Sequence, residues 1–148
     1  MKNSDLGLKK LKHMTITFVI MLLIFWQSQL PARVSAKESG RLVEFILRFI
    51  PGNKAVLTFW VRKTAHFSEY LILGASLDFT VRDYIPHRGK AILPAWAVGT
   101  LYAVTDELHQ IVVSGRSCEL RDMAIDSCGV IVGVLLVTLI FRGKKTDQ

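Results

Sequence analysis

The apolar positions of this chain gather into four blocks, and most charged positions lie between or beside them. Met14–Leu30 contains no charged residue. The second block, about Thr58–Val81, carries Arg62, Lys63, His66, Glu69 and Asp78. The third, Ala91–Val113, is free of charge until Asp106 and Glu107, and the fourth, Met123–Phe141, holds one acid, Asp126. A hydrocarbon layer about 30 Å thick takes about 20 helical residues to cross. Each block reaches that length or approaches it. Ile, Val and Leu fill the blocks without alternation of period two, which argues against a membrane β-barrel. The pattern predicts an all-α polytopic membrane bundle of about four transmembrane helices, at about 14–30, 58–81, 91–113 and 123–141.

The connectors add detail. In the first, Arg41, Glu44 and Arg48 fall on one helical face, and Leu42, Phe45, Ile46, Phe49 and Ile50 on the other. This predicts an amphipathic helix over about 38–50, lying on the membrane surface or capping the bundle and ended by Pro51-Gly52-Asn53. Residues 82–90 and 114–121 read as short turns, and 142–148 as a solvated tail. The first block has a second reading. Lys9, Lys10 and Lys12 precede an apolar stretch, and Val34-Ser35-Ala36 offers a small-residue cleavage site, as in a signal peptide.

A length of 148 residues suits a single domain, 1–148. Nineteen Lys+Arg against twelve Asp+Glu give a net charge of +7. Because these basic residues flank apolar blocks, they point to a membrane partner and not to nucleic acid. Four lie in the N-terminal segment, three in the 82–90 turn and three in the tail, whereas seven are spread from Arg33 to Lys63. Charges near short segments weigh most in orientation, so both termini are expected in the cytoplasm.

An ionisable group at the bilayer centre costs about 2.5 to 3.5 kcal/mol on insertion scales, so such groups need a reason. Lys63, His66, Glu69 and Tyr70 share one helical face in the second block. Asp106, Glu107 and Gln110 share one in the third, and Asp122 and Asp126 one in the fourth. Hairpin topology brings the start of block two, the end of block three and the start of block four to one surface, whichever way the chain inserts. Arg116 and Arg121 sit in the turn over the same place. A polar site near one surface, extracytoplasmic in this orientation, is therefore expected. The plainer alternative is a set of helix-end residues snorkelling into the headgroup zone.

Other positions have ordinary readings. Gly129 and Gly133 form a GxxxG step suited to tight packing inside the bundle. Asp78 is expected at the opposite interface, His109 at the rim of the site, and His13 and His87 in solvent. Cys118 reads as a free thiol in a turn and Cys128 as a small packed residue. The string Asp106-Glu107-Leu108-His109 imitates a helicase motif, but no GxxxxGK[ST] loop accompanies it.

Four motifs occur in order. They are Trp26-Gln27-Ser28-Gln29, then Arg62-Lys63-Thr64-Ala65-His66-Phe67-Ser68-Glu69-Tyr70, then Thr105-Asp106-Glu107-Leu108-His109-Gln110, and then Gly115-Arg116 through Arg121-Asp122 to Asp126 and Gly129. Together they resemble the VanZ-like family of small bacterial membrane proteins over about Ile16–Phe141. Ser114 stands where that family often has a proline before the Gly-Arg pair. The resemblance implies that block one is kept as a helix. It also implies a link to resistance against glycopeptides of the teicoplanin type and lipoglycopeptides, through the shared positions Lys63, His66, Glu69, Tyr70, Asp106, Glu107, Gln110, Arg116, Asp122 and Asp126.

Three function classes are compatible with these residues. A binder would hold a lipid headgroup, a cell-wall precursor or a glycopeptide antibiotic. An intramembrane hydrolase or transferase would use His66, Glu69, Asp106, Glu107 and Asp122 to hold a divalent cation and activate water. Carboxylates outnumber histidines there, which favours Mg²⁺ or Mn²⁺ over Zn²⁺, although no HExxH, GxSxG or CxxC motif supports an enzyme. An ion pathway is the third, weakened because the polar groups gather at one end. The binder is the favoured reading.

Overall fold

A computed structural model describes residues 2–85 and 87–141. They form five helices and no strand: α1 (Lys2–Ser28), α2 (Ala32–Leu47), α3 (Lys54–Arg82), α4 (Arg88–Gln110) and α5 (Leu120–Ile140). The solvated tail expected over 142–148, and Pro86 of the 82–90 turn, lie outside the described residues.

Helix boundaries differ from the apolar blocks for local reasons. Asp5 and Lys9 stand four apart, the order that supports a helix, and α1 runs back to Lys2 through the polar segment. Pro31, with its fixed φ, stands at the N-cap of α2 and starts that helix well before residue 38. The Asn53 side chain accepts from the backbone N–H groups of Ala55 and Val56 at 2.9 and 3.3 Å, so α3 begins at Lys54. The last residues of block three leave the helix. Three successive backbone bonds, from the N–H groups of Ile111, Val112 and Val113 to carbonyls three residues back, lead on to Gly115, whose φ of +76° suits a residue without a Cβ.

The most extensive interface joins α3 and α5. Small residues permit it. A Cβ at Gly129 would lie 2.5 Å from the Phe67 carbonyl oxygen, one at Gly133 would strike the backbone of Leu71 and Ala75, and one at Gly74 the backbone of Val130. The GxxxG step is therefore an internal packing device. Above and below it, Ile24, Tyr70, Leu73, Leu77, Ala95, Ala103, Val130 and Val134 form one buried cluster. α1 packs on α3 through Thr17, whose hydroxyl meets those of Ser76 and Thr80 at 2.7 and 2.8 Å, and Tyr102 donates to the Met21 carbonyl at 2.6 Å.

Three ordinary readings need correction. Asp78 is not interfacial but wholly buried, paired with Arg82 at 2.6 Å one turn later. His13 is not simply solvated, because its Nδ1 lies 2.7 Å from Asp83 Oδ2. Cys128 is exposed and not packed, while Cys118 is a half-buried free thiol in the turn as expected. Of these, only the His13–Asp83 contact joins positions far apart in the chain.

The outer faces are apolar. Phe18 and Leu23 on α1, Ile72 on α3, Leu101 on α4 and Leu139 on α5 are all exposed, as are Phe45 on α2 and Phe49 just after it. Among the described residues, α5 alone is long and apolar enough to cross a membrane, with a mean hydropathy of 2.3. Ser4–Ser28 and Ala32–Leu47 meet the same criterion only as a pair bent by 101°. That bend sets α2 across the end of the bundle, as expected of an amphipathic helix. α3 and α4 fall short of the criterion because of the polar positions that meet at one end of the fold.

Candidate functional site

α3, α4 and α5 each bring a polar stripe to the end of the bundle covered by α2. From α4, Asp106, Glu107 and Gln110 are buried, Glu107 completely; from α5, Asp122 and Asp126 are buried, Asp126 completely. From α3, Tyr70 is buried, and Lys63, His66 and Glu69 are half-buried.

Three subgroups can be separated. Lys63 Nζ donates to Asp122 Oδ1 and lies 3.7 Å from Glu119 Oε2, tying α3 to the start of α5. On the other flank, the Tyr70 hydroxyl donates to Asp106 Oδ2 at 3.3 Å, and Gln110 Nε2 donates to Glu107 Oε1 at 3.1 Å with a longer contact to Asp106 at 3.4 Å. Between them stand His66, Glu107 and Asp126, one from each helix, with one ligand-capable atom of each within 4.8 Å of the others. His66 Nδ1 and Asp126 Oδ1 are 3.6 Å apart, too far for a hydrogen bond. Neither has another hydrogen-bond partner, and Asp126 Oδ2 has none either.

Arg116 closes the end. Its guanidinium donates to the carbonyls of Leu30 at 3.1 Å and Gln27 at 3.4 Å and to Gln110 Oε1 at 3.3 Å, while Ala32 N–H donates to the Ser114 carbonyl at 3.2 Å. The 111–119 turn is thereby fastened to the corner between α1 and α2. Burial, and then the nearby charge of Arg62, lower the Arg116 pKa from its usual value.

Glu69 turns away from the central group, toward α1, and accepts from Gln27 Nε2 at 2.5 Å. It faces a cavity of about 220 Å³ bounded by α1, α2, α3 and Arg116, whose wall includes Ser35, Glu38, Ser39, Arg62, His66 and Asp106. An apolar groove of about 360 Å³ along α2 and α3 adjoins it, sharing Leu42, Val61 and Ala65 and carrying Trp60. His66 and Asp106 thus border both the cavity and the buried carboxylates.

This ordered set of residues on one helical frame decides the family. A family model described as VanZ/LLP1 matches residues 14–142. The chain belongs to the VanZ/LLP1 family. Neither a curated protein nor a solved structure matches it. The VanZ family is membrane-associated, which accords with the apolar α5 and the exposed apolar faces.

Some participants have no clear signal in the sequence. Glu119 helps through its backbone, its N–H donating to Glu107 Oε2 at 3.0 Å, which no side-chain pattern can announce. Gln27 belongs to the Ser-Gln element of the VanZ resemblance, and only the fold shows that it reaches Glu69. Arg62 borders the cavity, whereas Arg121 is exposed and lies over the Phe59 ring. His109 stands at the rim, 2.6 Å from Gln29 Nε2 and against the Phe25 ring.

Proposed function

We propose that this VanZ protein crosses the cell membrane four times, with α1, α3, α4 and α5 as spans and α2 lying at the outer surface. In this reading it is a binder of cell-envelope amphiphiles. The polar headgroup of a lipid-linked cell-wall precursor, or of a teicoplanin-type glycopeptide or lipoglycopeptide, rests in the cavity, and its apolar part lies along the groove. A role in resistance to such antibiotics follows from removing the molecule from its site of action.

One observation carries this reading: the polar cavity and the apolar groove share a wall at Leu42, Val61 and Ala65. A site of that form matches a molecule with one polar and one apolar end, and specificity comes from a few placed polar groups in a mostly apolar surround. Four spans are supported by helices of 21 to 29 residues whose outer faces expose large apolar side chains.

A second reading is an intramembrane metal-dependent hydrolase or transferase acting on the same class of molecule. It is favoured by the grouping of His66, Glu107 and Asp126 beside the cavity.

The binder reading is tested with the purified protein in detergent, using calorimetric titration with teicoplanin and with a lipid-linked cell-wall precursor. Saturable binding is expected for at least one of them, weakened about tenfold or more by Ser39→Phe, which fills the cavity. Identical, non-saturating partition by both proteins defeats the reading. In cells, Glu107→Ala is expected to remove any resistance that the wild type confers while leaving membrane insertion intact. Undiminished resistance would assign the carboxylates to the headgroup zone instead.

A further inference from the structure

The central group poses a problem of charge. Glu107 and Asp126 are completely buried, and Asp106 nearly so. The two nearest cations are already committed, Lys63 to Asp122 and Glu119 and Arg116 to two backbone carbonyls and Gln110, while Arg62 is an exposed residue of the cavity wall. Buried carboxylates without compensation are strongly disfavoured, so each must gain a proton or a cation.

Hydrogen bonding divides the acids. Asp106 engages Tyr70, and Glu107 is held at both oxygens, by Gln110 on Oε1 and by the Glu119 backbone on Oε2. Asp126 has no hydrogen bond at either oxygen, although the whole residue is inaccessible to solvent. A carboxylic acid placed there for its own sake would donate its proton to a neighbour. Asp126 instead faces His66 Nδ1 at 3.6 Å, itself without a hydrogen bond. That spacing is close to the roughly 3 to 3.4 Å that separates two ligands on one ion with bonds of about 2.1 Å.

We propose that His66, Glu107 and Asp126 form a divalent-cation site of the Mn²⁺/Zn²⁺ class, one ligand from each of α3, α4 and α5. One imidazole with two carboxylates suits Mn²⁺ or Zn²⁺ better than Mg²⁺, which prefers an all-oxygen shell that retains several waters. The bonds from Gln110 and the Glu119 backbone orient Glu107 toward the site, the outer-shell role that metal ligands require. Three protein ligands leave room for a further one, and His66 borders the cavity from which it would come. The inference deepens the proposed function by adding a charged anchor for a phosphate- or carboxylate-bearing headgroup. It does not depend on what the cavity binds.

The test uses full-length protein in detergent, stripped with chelator and then titrated with MnCl₂ or ZnCl₂ alone. Elemental analysis reads stoichiometry, and the Mn²⁺ electron spin resonance signal reads affinity. One equivalent per chain is expected for at least one of the two metals. His66→Ala, at a half-buried position, and Glu107→Gln, which keeps the shape of the side chain, should each weaken binding at least tenfold. Asp78→Asn, in the buried pair at the opposite end, should leave it unchanged. If the wild type binds neither metal stoichiometrically, or if both site variants bind as tightly as the wild type, the site is wrong and Asp126 is held as the neutral acid. Metal binding with no amphiphile binding would leave this inference standing and remove the headgroup reading; the converse would remove only the metal.

Discussion

Lys63 on α3 and Asp122 on α5 form an ion pair at the mouth of the tightest helix interface, with about a tenth of each side chain exposed. Glu119 stands 3.7 Å from the same ammonium. The two partners are therefore not equivalent: Lys63 has a second acid, whereas Asp122 depends on Lys63 and on the favourable N-terminal turn of α5. Lys63→Met is expected to destabilise the protein by about 3 kcal/mol, the scale for stranding a buried charge. Asp122→Asn should cost less, and Lys63→Met with Asp122→Leu should recover most of the loss. Thermal unfolding in detergent gives all three values. Equal, additive losses would show that the pair is not coupled.

Glycines at the helix contacts around α5 divide into two kinds. At Gly133 an added methyl group meets backbone atoms of Leu71 and Ala75, which cannot turn aside. At Gly99 it meets only side chains, of Val130 and Leu77. Gly99→Ala is expected to cost about 1 to 3 kcal/mol by overpacking. Gly133→Ala should cost more, enough to lower the yield of folded protein, because two helices must separate. Comparing the melting points of the two variants checks the order. A harmless Gly133→Ala would mean that α3 and α5 lie further apart than described.

Membrane orientation is open to direct measurement. Reporter fusions at His87 and in the C-terminal tail should read cytoplasmic, and fusions at Gly52 and Ser117 external. Opposite signals at every point would invert the protein and place the cavity toward the cytoplasm. An external His87 together with an external Ser117 would exclude α4 as a span.

Glu44 of α2 pairs with Lys54 of α3 at 2.9 Å, and this neighbour, by hydrogen bond and charge, holds its carboxyl below the ordinary value of 4.5. A depressed carboxylate pKa contributes stability that is complete above the unfolded value and is lost as the pH falls through the folded one. The tie between α2 and α3 should therefore be constant from pH 8 to 5 and loosen only in more acidic solution. Both side chains are largely exposed, so the change should appear as faster amide exchange in α2 and not as a shift of global unfolding. Glu44→Gln should abolish that pH dependence.

The convergence of Lys63, His66, Tyr70, Asp106, Glu107, Gln110, Arg116, Asp122 and Asp126 was legible because helical period and hairpin order are both written in the sequence. Glu69 shares the stripe yet faces α1. A spacing of three or four residues selects a broad helical face, and Glu69 stands at its edge, where Gln27 draws it aside. His13 and Asp83 are 70 positions apart, and nothing local to either announces the other. The early start of α2 depends on Pro31 as a cap, which the apolar pattern does not register, because Ala32–Lys37 has no marked apolar face. Hydropathy singles out α5, and the average is lower over α3 and α4. Their inward polar groups lower the average, although their outward faces expose large apolar side chains.

The bond from Ala32 to Ser114 and those from Arg116 to Leu30 and Gln27 moor the α1–α2 corner to the turn between α4 and α5. That mooring fixes the corner from which α2 starts, and the Glu44–Lys54 pair ties its far end to α3. What stays open is the flank between α2 and α3, where Leu42 and Trp60 meet no overlying element. If the binder stands in the membrane as proposed above, a guest molecule would enter sideways from within the leaflet in which it is already dissolved, and admission would be governed by partition into lipid before fit.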